Sequence, residues 1–258
     1  MGAKEHAEVT HQFAQAPGRR VDPMRREWPL ATFLGRLKPT SLAAALELGT
    51  LAKYPAHRTL LHQGDESSHV LLITHGVVKV VTSSADGFDM LLAIRLAGDL
   101  VGEMAAFEDE PRSGTVIACG EVTARIIQRR TLETFLSGHV DAMAALYRMM
   151  SARLRWANRR RLDFRAYDAS TRLARVIAEL AQTYGQAASG ANGRRCALGV
   201  TLTQSELASL AGLALPTAEK ALAALSQRGL IERSYRQISI SDIPQLLEFA
   251  KIEAENPY

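Results

Sequence analysis

The sequence is short of several things, and each shortage excludes a class of protein. It has no uninterrupted apolar run of the ~18 residues that a membrane helix needs. Its N-terminal stretch, "MGAKEHAEVTHQFAQAPGRRVDPMRREWP", has no apolar core of the secretory type. It carries only two cysteines, Cys119 and Cys196, far apart and in no CxxC pair, which argues against a disulfide framework and against a zinc or iron–sulfur site. The expected setting is the reducing cytoplasm. The seven histidines (6, 11, 57, 62, 69, 75 and 139) show no HExxH-type spacing and read as surface or packing residues. A haem ligand such as His75 has nothing in the pattern to favour it. No P-loop, nucleophile elbow or metal-ligand spacing occurs, so neither an enzyme nor a metal site is expected.

What is present divides by composition. The 258 residues suffice for one large domain or two small ones, and 47% of them are hydrophobic, enough for a sizeable core. Residues 1–28 hold Pro17, Gly18 and Pro23 and no sustained periodicity, and are read as a flexible arm. From residue 30 to about 130 the chain reads as strands. "TLLHQG" (59–64), "VLLITHGVVKVVTSS" (70–84), "MLLAIRLAGDL" (90–100) and "GTVIACGEVTARIIQRR" (114–130) are β-branched or leucine-rich and are cut by turns at Gly64-Asp65, Gly76, Ala85-Asp86-Gly87 and Gly98-Asp99. Short strands with regular turns predict a small sandwich or barrel.

The period then changes. From Leu132 to Phe164 there is no proline, Gly138 is the only glycine, and Met143, Leu146, Met150, Leu154 and Ala157 recur at spacings of three and four. That predicts one long helix with one apolar seam, read as a helix–helix interface and hence a homodimer. Acidic residues are scarce here: Arg148, Arg153, Arg155, Arg159, Arg160, Arg161 and Arg165 have only Asp163 among them. These arginines are either a solvated face, partners of acids in the strand region, or a lining for an anionic partner, which the net charge of +4 permits.

A second helical unit, "ASTRLARVIAELAQTYG" (169–185), has Leu173, Val176, Ile177 and Leu180 on one face, and "QAASGANGRR" (186–195) is a loop by composition. Thr203 followed by Glu206 is a capping box that opens a helix over 204–211, ended by Gly212. A second helix starts near Pro216, faces Ala218, Ala221, Leu222 and Leu225 inward, and stops at Gly229. "LIERSYRQISI" then reads as a two-stranded wing, which completes a winged helix-turn-helix. The terminal "QLLEFAKIEAENPY" (245–258) reads as a short amphipathic helix on the wing.

The stretch "GEMAAFEDEPRSGT" (102–115) combines Gly102-Glu103, small apolar residues, an acidic turn, and Arg112 with Ser113 and Thr115. A cyclic nucleotide fits that combination. A guanidinium forks onto the phosphate, Ser113 adds a donor, and helical N–H groups opening at Gly102-Glu103 face the anion. Glu103 accepts from the ribose hydroxyl, and Gly102 leaves room for the sugar. The plainer alternative is a surface Glu–Arg ion pair, worth little.

"DLVGEMAAFEDEPRSGTV" resembles the phosphate-binding cassette of cyclic-nucleotide-binding domains, including the nine-residue step from Glu103 to Arg112. The chain from about 30 to 243 resembles the catabolite activator (CRP/FNR) family of bacterial transcription regulators. The resemblance implies an α+β chain. An N-terminal antiparallel β-roll of the cyclic-nucleotide-binding type occupies 29–135, a long dimerisation helix 136–167, and a winged helix-turn-helix with a C-terminal tail 168–258. It implies cAMP or cGMP as allosteric ligand, with Gly102 and Glu103 on the ribose, Met104 beside them, Arg112 and Ser113 on the phosphate, and double-stranded DNA and RNA polymerase as partners. The family's base-contacting pair falls at Ala157-Asn158; Asn158 can bond a base edge and Ala157 cannot, which leaves cAMP against cGMP open. For DNA it implies Thr203, Gln204, Leu215, Pro216, Thr217, Glu219 and Lys220. The family's Ser-Arg-Glu-Thr-Val-x-Arg run reads Ala214-Leu215-Pro216-Thr217-Ala218-Glu219-Lys220 here, so the arginine and glutamate that read G and C are Leu215 and Pro216. Lys220 can still reach guanine or a phosphate, and Thr217 a phosphate or a thymine methyl. Two rivals remain: a family member with a vestigial pocket that acts without ligand, and a regulatory module of an enzyme, against which the helix-turn-helix argues.

Overall fold

The computed structural model describes residues 28–87, 89–187, 195–234 and 237–252. Most of the N-terminal arm, most of the 186–195 loop, the wing tip and the last six residues of the tail lie outside the described residues. The fold is α+β and forms two compact units, residues 21–158 and 159–258.

The first unit is built on two four-stranded antiparallel sheets. The strands are β1 (Thr50–Tyr54), β2 (Thr59–Leu61), β3 (Val70–His75), β4 (Val77–Ser83), β5 (Asp89–Leu96), β6 (Leu100–Val101), β7 (Thr115–Ala118) and β8 (Val122–Ile127). Their orders are β1-β8-β3-β6 and β2-β7-β4-β5. The unbroken apolar run of β3 is explained by its two buried faces. Leu71 and Ile73 point into the core between the sheets with Val78, Val116 and Ala124. Val70 and Leu72, alternating with them, point into a second core formed with helices.

Those helices depart from a strands-only reading of residues 30–130. A 3-10 turn (Leu34–Arg36) is followed by α1 (Pro39–Glu47), which opens on a proline whose missing N–H costs nothing at that position. A six-residue α2 (Glu103–Glu108) interrupts the strands. Phe33, Leu34 and Ala45 fill the second core.

The long helix also departs from the prediction. It is two helices, α3 (Arg129–Gly138) and α4 (Val140–Ala166), broken at His139, whose ring stacks on Phe135. The single seam divides as well. Leu146 is 8% exposed and packs with Phe135, Ala142, Ala145 and Met149 in the second core, with Met150 partly buried against it. Met143, Leu154 and Ala157 are exposed, and so is Tyr147 at 72%. With 3.6 residues per turn, Leu146 falls on the roll-facing stripe and Met143, Tyr147 and Leu154 on the other.

The second unit starts with the last turns of α4. Asp163 is buried between Arg160 Nη1 (3.3 Å) and Arg175 Nε (3.0 Å), and Arg160 also pairs with Glu179. Arg175 and Glu179 belong to α5 (Ala169–Tyr184), capped by Asp168 and buried along Leu173, Val176, Ile177 and Leu180. Then come β9 (Gly185–Ala187), β10 (Cys196–Leu198), α6 (Gln204–Ala211), α7 (Leu215–Gln227), β11 (Ile231–Ser234), β12 (Gln237–Ile240) and α8 (Ile243–Phe249). The wing is larger than two strands. β11 and β12 join β10 and β9 in the order β11-β12-β10-β9, so Gln186 and Ala187 belong to a strand and not to a loop. The last helix, α8, buries Ile243, Leu246 and Leu247 and packs against α5. Arg175 Nη1 holds it there by donating to the carbonyls of Ala250 (2.9 Å) and Lys251 (3.2 Å). Among the described residues, no helix is long and apolar enough to cross a membrane.

Two substitutions separate buried from exposed leucines. Leu146→Ala should cost about 2–5 kcal/mol in urea unfolding of the full chain, because it empties a packed site. Leu51→Ala, on the exposed edge strand β1, should stay within about 0.5 kcal/mol of the parent.

Candidate functional site

The site is assembled where β6 turns into α2. Gly102 joins them in the left-handed region at φ 82°. A Cβ there would stand 2.6 Å from Nη1 of Arg112 and 2.9 Å from Cδ1 of Leu61. Glycine is required on both counts. The helix carries Glu103 inward, runs less than two turns and ends at Asp109, also left-handed at φ 56°. The chain then returns through an exposed Pro111 to Arg112 and β7.

Arg112 is 3% exposed and is held from both ends. Its backbone N–H donates to Asp65 O, and its carbonyl accepts from Gly64 N, each at 2.9 Å. Its side chain donates from Nη1 to Gly102 O (2.6 Å), from Nη2 to His69 O (2.5 Å) and from Nε to Ser67 Oγ (3.3 Å). Three of the five guanidinium N–H groups are thereby engaged and two remain. Burial pushes the guanidinium below its ordinary value, opposed by the carboxylates of Asp65 and Glu103. Burial, then the Arg112 charge, also lowers His69.

Glu103, buried as well, takes its partner from α4: Arg153 Nη1 donates to Oε1 at 2.5 Å. Arg153 Nη2 also donates to Leu100 O (2.8 Å) and lies 3.8 Å from Asp99. Burial raises Asp99 above the ordinary carboxylate value. Arg153, Arg95 and the Leu96 N–H pull it back, and Glu103 adds to the rise.

The structure thus gathers Gly102, Glu103 and Arg112 of the sequence-derived set and adds Arg153, Asp99, Ser67 and the His69 carbonyl. Arg153 answers one alternative left open for the arginine run, that some of it pairs with acids of the strand region. Met104 and Ser113 flank the buried pair and are exposed, and Asn158 is exposed five residues past Arg153 on α4. A buried cation and a buried carboxylate, each already oriented, can together bind a small anion that also carries a hydroxyl.

In the second unit, Thr203 Oγ1 accepts from Glu206 N (3.2 Å) and Glu206 Oε2 from Thr203 N (2.7 Å), the reciprocal cap read from the sequence. Gly212 turns α6 into α7 at φ 62°, and its carbonyl accepts from Arg172 Nη1 (3.2 Å). Ala218, Ala221, Leu222 and Leu225 of α7 are buried. Gln204, Leu215, Pro216, Thr217, Glu219 and Lys220 are exposed, so the sequence-derived contacts on α7 lie on its open face.

Comparison with known proteins locates both units. The model of the cyclic nucleotide-binding domain matches residues 51–139, and that of the Crp-like helix-turn-helix domain residues 171–249. Over 217 residues the chain is 30% identical to the CRP-like cAMP-activated global transcriptional regulator of Mycobacterium tuberculosis, covering 83% of this chain and 94% of that protein. To the cAMP-activated global transcriptional regulator CRP of Salmonella typhimurium it is 25% identical over 189 residues, 73% and 88% of the two chains. The structure of FixK2 from Bradyrhizobium japonicum shares the fold, with a TM-score of 0.64 at 22% identity over 78% of this chain and 97% of that one.

Gly102→Ala should destabilise the chain by more than ~1 kcal/mol in thermal or urea unfolding. The left-handed backbone alone costs an L-residue about that much, and the pinned guanidinium cannot move aside for the new methyl group.

Proposed function

The chain belongs to the CRP/FNR family of transcription regulators, and from that premise we propose that it is a dimeric DNA-binding regulator switched by a 3′,5′-cyclic nucleotide held in the roll. The observation that carries the ligand is the buried Arg112, fixed beside Gly102-Glu103 with two N–H groups still to give. Those two meet the cyclic phosphate, and Ser113 adds a hydroxyl donor. Glu103, with Oε1 on Arg153, offers Oε2 to the ribose hydroxyl. Met104 flanks the sugar, and Asn158 bonds the base. The cAMP-activated relatives favour cAMP over cGMP.

A member of the family that works without a nucleotide is the second reading. Two observations favour it: Ala157 has no group to bond a base, and the Arg112 side chain already has three internal acceptors.

The second unit is the DNA-binding half. Thr203 and Gln204 at the start of α6 meet phosphates, and Leu215, Pro216, Thr217, Glu219 and Lys220 of α7 enter the major groove. The exposed face of α4, through Met143, Tyr147 and Leu154, pairs two copies so that their α7 helices can reach half-sites ~34 Å apart. The regulator works in the cytoplasm and acts on RNA polymerase. Ligand acts by binding one arrangement of the dimer more tightly than the other.

Isothermal titration with cAMP and with cGMP tests the ligand. Binding should weaken by about 2–5 kcal/mol in Arg112→Ala, which leaves a buried phosphate unpaired, and by less in Glu103→Ala. Absence of heat and of thermal shift at millimolar nucleotide would establish the ligand-independent reading.

Light scattering tests assembly. The wild type should run at twice the chain mass at micromolar concentration, and Tyr147→Arg, which sets like charges across a two-fold axis, should run at one. A wild-type mass of one chain rejects the dimer.

A further inference from the structure

The start of α7 differs from the other helix starts of its unit. Asp168, Thr203 and Asp242 cap α5, α6 and α8 through side-chain acceptors. At α7 the cap position is Ala214, which supplies none. Ser, Thr, Asn or Asp there would accept from a helical N–H that Ala214 leaves uncapped. The four residues Ala214, Leu215, Pro216 and Thr217 are all exposed, Leu215 at 41%. They are not a misplaced piece of core, because the buried stripe of the same helix runs through Ala218, Ala221, Leu222 and Leu225. The exposed start therefore gives up a cap and leaves an apolar surface in water.

We propose that this surface reads thymine methyl groups in the major groove, with Leu215 and the methyl of Thr217 as the contacts. The inference rests on the DNA-binding reading above. Three of the four side chains, Ala214, Leu215 and Pro216, can neither donate nor accept a hydrogen bond, so hydrogen-bond readout is closed to them. Among the groups that base pairs expose in the major groove, the thymine C5-methyl is the apolar one. One turn further along, the exposed Lys220 and Glu219 are polar. Lysine donates to guanine O6 and N7, and glutamate accepts from cytosine N4. The half-site is therefore a run of A·T pairs placed beside a G·C pair. The match of residues 171–249 to a Crp-like helix-turn-helix domain favours DNA over another protein as the occupant of this face.

The test uses the full chain, with and without cAMP or cGMP. A duplex is first selected from random DNA, and thymines of the recovered half-site are then replaced one at a time by deoxyuridine. Uracil pairs as thymine does but lacks the methyl group. Affinity should fall about fourfold at each contacted position, the loss expected for one buried methyl group. In Leu215→Ala the preference for thymine over uracil should vanish at one position, and in Thr217→Ser at a neighbouring one. Both residues are exposed, so neither change endangers folding. Equal affinity for thymine and uracil duplexes overturns the inference while leaving DNA binding intact. A preference that persists in Leu215→Ala overturns the role given to that residue. Failure to enrich any duplex overturns the DNA-binding reading itself.

Discussion

A guanidinium withdrawn from water must find acceptors or the fold that buries it will not form. In the first unit that demand falls on Arg112, and the local architecture follows from it. Its acceptors come from segments far apart in the chain: Ser67 and His69 before β3, and Gly102 after β6. Its backbone is paired with Gly64 and Asp65 after β2. One arginine thus ties the β2–β3 loop and the turn after β6 to its own loop. The left-handed glycine at 102 is part of the same solution, since only a residue without Cβ lets its carbonyl approach the guanidinium so closely. With Arg112 turned to two carbonyls and the Ser67 hydroxyl, the neighbouring Glu103 takes a cation of its own, Arg153 from α4. The site is therefore two ion-binding problems solved side by side, and a ligand that is an anion carrying a hydroxyl suits both.

Much of this was legible in the sequence, and the parts that were not share a reason. The cap at Thr203 and Glu206, the glycine turns at 212 and 229, and the strand-and-turn rhythm of residues 59–127 are local signals, and each appears in the structure where its spacing put it. The acceptors of Arg112 gave no signal, because two of them are backbone carbonyls and every residue has one. Arg153 stood in plain view among seven arginines, but its partner lies 50 residues away and nothing in its own neighbourhood marks it out. The seam on α4 failed for a related reason. Spacings of three and four select a broad stripe, and the stripe that included Leu146 spans both the face turned to the roll and the face turned away. α1 was missed because residues 30–130 were read as one series of strands, and the alanines and leucines of Pro39–Glu47 passed within it. The two extra strands of the wing sheet flank a glycine- and alanine-rich stretch whose composition spoke only for a loop.

The second unit repeats the first unit's logic with a different result. There too a buried charge sits at the junction of helices, but it is the carboxylate of Asp163, and arginines converge on it. No ligand is implied, because Arg160 and Arg175 come from either side within the unit and Arg175 goes on to the carbonyls of Ala250 and Lys251. The same chemistry that lines the candidate site in the roll makes a fastening here, joining the end of α4, α5 and the turn after α8.

That fastening constrains how the sequence can drift. Removing Asp163 alone would take the buried carboxylate from both arginines at once, and removing either arginine alone would leave that carboxylate with one cation in place of two. Breaking one member of such a set costs far more than replacing the whole set by apolar residues. Their effects are therefore strongly non-additive, and substitutions at 160, 163 and 175 are passable only in company. Among descendants of this chain the three positions should behave as one inherited character, kept whole or lost whole, while the exposed arginines at 155, 161 and 165 change singly.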